Sequence, residues 1–288
     1  MGELFERVVV VGSGTMGHGI AQVVAASGRS AIMVDTSTEV VEAGLGKIRE
    51  NLDKGVERGK VSAEERDATL GRLSVSADLA GACAGAALVI EAVPEDLGLK
   101  RRIFEIVDGA APAGAVLASN TSSMSITAMG SWTSRPERVI GLHFFNPVHI
   151  MSLLEIVRGE LTGAQTVADC RALAASLGKE AIVVLDSPGF ATSRLGIAIA
   201  MEAIRMLQEG VGSAEDIDKA MELGYRFPMG PLKLTDLVGL DVRLAITEHL
   251  YAELGTDTFR PPQLLKRMVM AGKLGKKSGE GFYNWRRG

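Results

Sequence analysis

Residues 7–35 read RVVVVGSGTMGHGIAQVVAASGRSAIMVD, and no other segment restricts the fold as tightly. Four consecutive valines, Val8, Val9, Val10 and Val11, show no polar face, as in a strand buried on both sides of a parallel sheet. Gly12, Gly14 and Gly17 follow at once. In that order the first glycine permits a tight turn, the second lets backbone approach a pyrophosphate, and the third lets a helix lie close to the strand. The helix, expected over 15–27, aims its free N–H groups and positive dipole end at the pyrophosphate. Gly28 ends it, a second apolar strand spans 31–34, and Asp35 stands at that strand's carboxyl end. With 34 glycines a chance triplet is easy to find. The full series of strand, triplet, helix, strand and acid is not, and it reads as a dinucleotide site rather than a bare packing turn. Ser13, Thr15 and Met16 complete the expected cofactor turn. Asp35 selects the cofactor, because a carboxylate accepts from ribose hydroxyls and repels a 2′-phosphate. Thr36, Ser37 and Thr38 bring no arginine to reverse this, so NAD is expected over NADP.

The remaining composition narrows the setting. A chain of 288 residues is long for one core and comfortable for two domains. Its formal net charge of -4 argues against a nucleic-acid binder held by phosphate contacts. No apolar run approaches a membrane span, and a first strand beginning by Arg7 leaves no room for a signal peptide. Cys83 and Cys170 lie apart in apolar, alanine-rich surroundings. They read as buried free thiols rather than as a disulfide or metal ligands, and no metal is expected. A reducing cytoplasm fits.

Beyond Asp35, apolar residues at helical spacing predict a helix over 39–59, and Ser62 with Glu65 forms a capping box for a short helix after it. Strands are expected at 73–76, 88–93, 116–119 and 139–145, separated by helical or turn-forming sequence, the alternation of a doubly wound sheet. The segment 153–157 follows too closely for a helical crossover and predicts a locally antiparallel pair. A helix at 164–177 and a strand at 182–185 complete the first domain. From Pro188 the pattern becomes almost continuous helix. Residues 189–209 are apolar round most of the circumference, which predicts a buried helix. Further helices are expected at 214–223, 231–253 (with a break at Gly239) and 263–271. The expected fold is α/β: a Rossmann-like, doubly wound, mostly parallel sheet over residues 1–186, and a second, all-helical domain over 187–288.

Removing hydride from an alcohol requires a base for the hydroxyl proton, a group that tunes the base, and donors that hold the oxygen. In open α/β sheets such groups gather at the carboxyl ends of strands. Ser119, Asn120, Thr121, Ser122 and Ser123 follow one expected strand, and His143 lies near the end of the next. Glu155 stands on the strand that turns back beside it, where a hairpin can bring it within reach of His143 as an orienting carboxylate. From position alone His143 reads more readily as a structural residue, and it becomes the best available base once a hydride acceptor is assumed. Of the other histidines, His249 is mid-helix, His18 is on the cofactor helix and His149 lies beyond a proline turn. Ser122 reads either as a substrate contact or as the N-cap of a helix over 124–129.

The segments GSGTMGHGIA, EAVPED, ASNTSSMSIT, GLHFFNPVHIMSLLEIV and DSPGFATSRLG, in this order, resemble the L-3-hydroxyacyl-CoA dehydrogenase family, especially its short-chain 3-hydroxybutyryl-CoA members. GYRFPMGPLKLTDLVGLDV and GKLGKKSGEGFYNW resemble its carboxyl-terminal domain, so the likeness spans essentially the whole chain. It implies a Rossmann-like NAD-binding domain followed by a helical domain for substrate binding and dimerisation, NAD as cofactor, an acyl-CoA substrate and a homodimer. It implies His143 as catalytic base, Glu155 as its orienting acid and Ser122 as the serine on the substrate oxygen. Asn146 then lies near cofactor and substrate, and Glu95 and Lys100 line the nicotinamide side. The family carries asparagine where Ser193 stands. Serine is shorter and has no amide, which leaves Asn146 or a water to reach the substrate carbonyl from this side. Coenzyme A brings several phosphates. Asn51, Lys54 and Arg58 on the second helix are the implied contacts, whereas the charge pattern alone reads equally as a solvated face mixed with Glu50, Asp53 and Glu57.

Other readings stay open from sequence. An enzyme of the 3-hydroxyisobutyrate type shares the glycine turn, but resembles this chain less because PGFATSRLG contains no lysine. A family member acting on a free hydroxy acid or sugar acid, as in the L-gulonate dehydrogenase branch, is closer. A non-catalytic NAD-binding protein is opposed by Ser122, His143 and Glu155 occurring together.

Overall fold

The computed structural model describes residues 4–286. The chain divides into two compact units, one ending at Ser187 and the other beginning at Pro188.

In the first unit, strands and helices alternate: β1 (Arg7–Val11), α1 (Gly17–Ala26), β2 (Ser30–Val34), α2 (Thr38–Glu57), α3 (Ala63–Gly71), β3 (Leu73–Ser76), α4 (Leu79–Cys83), β4 (Leu88–Glu91), α5 (Leu97–Ala110), β5 (Val116–Ser119), α6 (Ile126–Gly130), β6 (Val139–Phe144), β7 (Leu153–Arg158), α7 (Ala164–Ser176) and β8 (Glu180–Leu185). The sheet has the order β3-β2-β1-β4-β5-β6-β7-β8. Every neighbouring pair is parallel except β6 and β7, which the short connection through Asn146 and Pro147 makes antiparallel. The chain moves outward from β1 in one direction to β3 and then in the other from β4. Beside β1 is therefore the switch point where such sheets bind ligands.

Continuous apolar runs become the inner strands. Val8, Val10, Leu88, Ile90, Val116, Ala118, Ile140 and Leu142 form one core cluster, closed over by Ile20 and Val24 of α1 and Ile48 and Leu52 of α2. Helix starts follow local capping chemistry. The Ser37 hydroxyl accepts from Val40 N, Ser62 and Glu65 form the expected reciprocal box, and Asp96 accepts from Leu99 N. Helix α1 begins two residues later than expected, because Thr15 and Met16 still belong to the turn. Strand β4 stops at Glu91 rather than at 93, where the Glu91 carboxylate turns back to accept from Val93 N at 2.7 Å.

The second unit holds α8 (Thr192–Gln208), α9 (Ala214–Gly224), α10 (Pro231–Val238), α11 (Leu240–Leu254) and α12 (Gln263–Met270). The long apolar stretch is not buried all round. Helix α8 buries one stripe, Ile197, Ala200, Met201 and Ile204, while Leu195 is 64% exposed. A 3.6-residue repeat turns some of a helix's apolar side chains away from its single packed face. Gly239, at φ +106°, separates α10 from α11 at the expected break. Two buried aspartates tie the unit together. Asp218 accepts from Leu232 N and Lys233 N at the start of α10, and Asp236 accepts from Phe282 N, Tyr283 N and Trp285 Nε1 of the tail.

Among the described residues, no helix is long and apolar enough to cross a membrane.

Candidate active site

At the carboxyl end of β1 the three glycines do different work. Gly12 has φ +96°, and a Cβ there would lie 2.8 Å from Ala92 O, so the turn fits tightly against the end of β4. A Cβ on Gly17 would stand 1.7 Å from Gly12 O, which only a bare helix start tolerates. A Cβ on Gly14 would meet nothing within 4 Å. That open space, bordered by a helix whose N-cap Met16 makes no side-chain cap, is what a pyrophosphate requires. Ser13 contributes differently from a phosphate contact. Its N–H and its hydroxyl both donate to Asp35 Oδ2 at 2.7 Å, and Thr36 N donates to Oδ1 at 2.8 Å. Partial burial works against the Asp35 charge, but these donors outweigh it and hold its pKa below the ordinary value. The carboxylate is thus ionised and fixed at the tip of β2, with Oδ1 retaining acceptor capacity for a ribose hydroxyl. The residues fit NAD.

His143 and Glu155 are directly opposed residues of the antiparallel pair β6–β7. Their side chains point to the same face, and His143 Nδ1 lies 2.9 Å from Glu155 Oε2. Glu155 is fully buried and His143 is 7% exposed. A carboxylate on Nδ1 demands the Nδ1–H tautomer, which makes Nε2 the basic nitrogen of the ring. The Phe145 ring lies 4.4 Å from the imidazole, centroid to centroid.

Ser122 lies beyond the end of β5, the strand paired with β6. Helix α6 is capped by Ser125, whose hydroxyl accepts from Ala128 N, and not by Ser122. Glu95 Oε1 accepts instead from Ser122 N at 2.8 Å and from its hydroxyl at 3.3 Å, and both carboxylate oxygens accept from the Thr121 hydroxyl. Lys100 is buried, with its ammonium between Glu91 and Glu95. It lines the site through Glu95 rather than by its own surface. Asn120 fastens the two strand ends, its Oδ1 accepting from Phe144 N at 2.9 Å. Asn146 is exposed just after β6, at the cis Asn146–Pro147 peptide. Ser193 stands in the first turn of α8, in the second unit.

A separate groove of about 1010 Å³ opens on the first unit between α1, α2, α3 and the loop after β6. Asn51, Lys54, Arg58, Lys60, Arg72 and Lys179 line it, and Glu65 is the one carboxylate among its lining residues. Asn51 also reaches Gln22 at 3.4 Å. Lys54 is 3.9 Å from Glu50 on an exposed face, a contact too loose to neutralise it. Arg72 and Lys179 are remote in sequence from the second helix, and no periodicity joins them to it. Glu91 was missed as well, although an acid closing the apolar run LVIE is a visible signal, whereas Ser119 and Thr121 stood in the expected serine-rich turn without their partners being legible.

The model of the 3-hydroxyacyl-CoA dehydrogenase NAD-binding domain matches residues 7–187, and that of the 3-hydroxyacyl-CoA dehydrogenase C-terminal domain matches residues 189–285. The chain belongs to the 3-hydroxyacyl-CoA dehydrogenase family. It is 44% identical over 280 residues to a probable 3-hydroxybutyryl-CoA dehydrogenase of Bacillus subtilis, covering 97% of each chain. It is 42% identical over 287 residues to the 3-hydroxybutyryl-CoA dehydrogenase of Mycobacterium tuberculosis, covering 99% of this chain and all of that one. The crystal structure of the (S)-3-hydroxybutyryl-CoA dehydrogenase of Ralstonia eutropha superposes with a TM-score of 0.94 at 41% identity, covering 98% of this chain and 100% of that one. The first unit is thus an NAD-binding domain of that family.

Proposed function

We propose that the protein interconverts (S)-3-hydroxyacyl-CoA, in particular 3-hydroxybutyryl-CoA, and the 3-ketoacyl-CoA with NAD. The observation that carries the reading is the His143–Glu155 pair, buried and in hydrogen-bond contact on the strand next to the serine-rich turn. Gly12, Gly14, Gly17 and Asp35 hold the cofactor, which when bound supplies the hydride acceptor. His143 Nε2 takes the proton of the 3-hydroxyl as hydride leaves the same carbon. Glu155 stabilises the imidazolium that forms and keeps the ring from rotating. Ser122 and Asn146 hold the substrate oxygen. In the reducing direction the His143 imidazolium is the acid.

The basic groove supports a coenzyme A substrate, since Lys54 and Arg58 face a cavity with few opposing acids. Lys54→Glu or Arg58→Glu should raise KM for the CoA thioester without moving NADH affinity. Exposed apolar side chains on the helical unit, among them Leu195, Leu223 and Tyr225, support pairing with a second copy, which sedimentation would reveal as a dimer. The buried thiols of Cys83 and Cys170, with pKa values pushed up to about 11 and about 12 by desolvation, suit a reducing compartment.

The deciding experiment is NADH oxidation with acetoacetyl-CoA, compared with longer 3-ketoacyl-CoAs, free acetoacetate, gulonate under oxidation, and NADPH. Turnover of the free acids in preference to acetoacetyl-CoA would reassign the substrate class. NADH binding with no turnover of any of them would leave a non-catalytic protein.

A further inference from the structure

Beneath Ser122 lies a buried charged cluster that the proton and hydride transfers outlined above do not use. Glu91 at the end of β4 and Lys100 on α5 are each 1% exposed, and Ser119 is fully buried. The Lys100 ammonium donates to both Glu91 oxygens, at 2.7 and 2.9 Å, and to Val93 O at 3.3 Å. It also lies 3.3 Å from Glu95 Oε2. The Ser119 hydroxyl donates to Glu91 Oε2 at 2.6 Å and accepts from Thr121 N at 3.2 Å. Glu91 therefore anchors Lys100 on one side and the turn carrying Thr121 and Ser122 on the other. Glu95 completes the circuit by accepting from Thr121 and Ser122.

Stability alone is a weak reason to keep such a pair, because apolar side chains of similar volume commonly stabilise as well or better. Its place in the fold gives a better one. The strand end after Glu91 abuts Gly12 closely. Asp35 on β2 marks the adenosine side of β1, so the nicotinamide half falls over the ends of β4, β5 and β6. Two carboxylates and one ammonium leave the cluster one negative charge in excess.

We propose that Glu91 is a positioning residue for the reaction: through Lys100 and Ser119 it sets Glu95 against Ser122, and the cluster's excess negative charge favours the positively charged oxidised nicotinamide over the neutral reduced one. This rests on the reading of Ser122 as the residue that holds the substrate oxygen.

The test compares Glu91→Gln, Lys100→Met, Glu95→Gln and the double variant Glu91→Gln/Lys100→Met, with folding checked by thermal melting. Affinities for NAD+ and NADH are measured separately, without substrate, and kcat and KM with acetoacetyl-CoA. Glu91→Gln and Glu95→Gln bring the cluster to neutrality and should weaken NAD+ relative to NADH by roughly tenfold, whereas Lys100→Met doubles the negative charge and should shift the ratio the other way. The double variant restores the original net charge and removes both fully buried charges, so it folds even where a single variant does not. It should keep the wild-type affinity ratio while kcat falls roughly tenfold and KM holds, because Glu95 has lost its anchor. A ratio unchanged in every folded variant, or moving one way in both Glu91→Gln and Lys100→Met, overturns the electrostatic role. A wild-type kcat in the double variant overturns the positioning role. Absence of acyl-CoA turnover in the unmodified protein would instead defeat the substrate reading, and the affinity ratio would still decide the charge.

Discussion

His143 and Glu155 show how little a single residue has to do once its neighbour is fixed. The carboxylate is buried and opposes the imidazole across one antiparallel step, so the one contact that selects a tautomer is also the one the proposed reaction asks to steady the imidazolium. His143→Ala should lower kcat by about two to four orders of magnitude, the usual scale for losing an acid–base group, with NADH affinity unchanged in a fluorescence titration. Near-normal turnover would reject the assignment. Asp35 makes a prediction in pH. Its folded pKa lies below the ordinary 3.8, so its contribution to stability is complete above that value and is lost as the pH falls through the lower folded one. Urea midpoints of Asp35→Asn should therefore lie below wild type at neutral pH and converge with it in acid. A gap that persists in acid once the folded carboxylate is protonated would mean that shape, rather than charge, is what the substitution removed.

At the scale of one element, the glycine turn separates cofactor recognition from folding. A side chain on Gly17 collides with backbone of the same turn, while one on Gly14 points into open space. Gly17→Ala should cost about 1–3 kcal/mol of stability, occasionally more, along with NADH binding. Gly14→Ala should melt like wild type and still bind NADH poorly, since its methyl occupies the ground reserved for phosphate. Equal affinity in Gly14→Ala and wild type would show that the pyrophosphate does not approach there. The β6–β7 hairpin is the matching element for the proposed base. A parallel crossover would have needed a dozen residues or more and would not have set position 143 opposite position 155.

On the scale of the whole molecule, the first unit has its own core, and every residue of the expected cofactor turn lies inside it. A fragment of residues 1–187 should fold and bind NADH without the helical unit. Circular dichroism and NADH fluorescence would test this, and a fragment that folds yet fails to bind would assign part of the cofactor site to the second unit. The helical unit has a separate core around Ile197, Met201, Ile204, Leu232, Leu240, Leu250 and Leu265. The buried carboxylate of Asp236, accepting from Phe282, Tyr283 and Trp285, stitches its tail to α10.

Local chemistry was written in the chain. The four valines, the glycine spacing, the capping box at Ser62 and the short link through Asn146 and Pro147 each specify their structure with neighbours a few residues away, and strand, turn and hairpin follow from them. The His143–Glu155 contact was legible as something a hairpin can make, and the register that sets the two directly opposite is in the structure. What periodicity could not supply was anything that depends on which strand lies beside which. Glu91 meets Ser119, and Glu95 meets Thr121 and Ser122, only because β4 and β5 are neighbours, and Arg72 and Lys179 join Arg58 only across separate elements. Ser125, not Ser122, caps α6, and α8 buries one stripe rather than its whole circumference. A buried charge or an exposed apolar side chain is a fact about tertiary surroundings, and those come into being only when the elements pack.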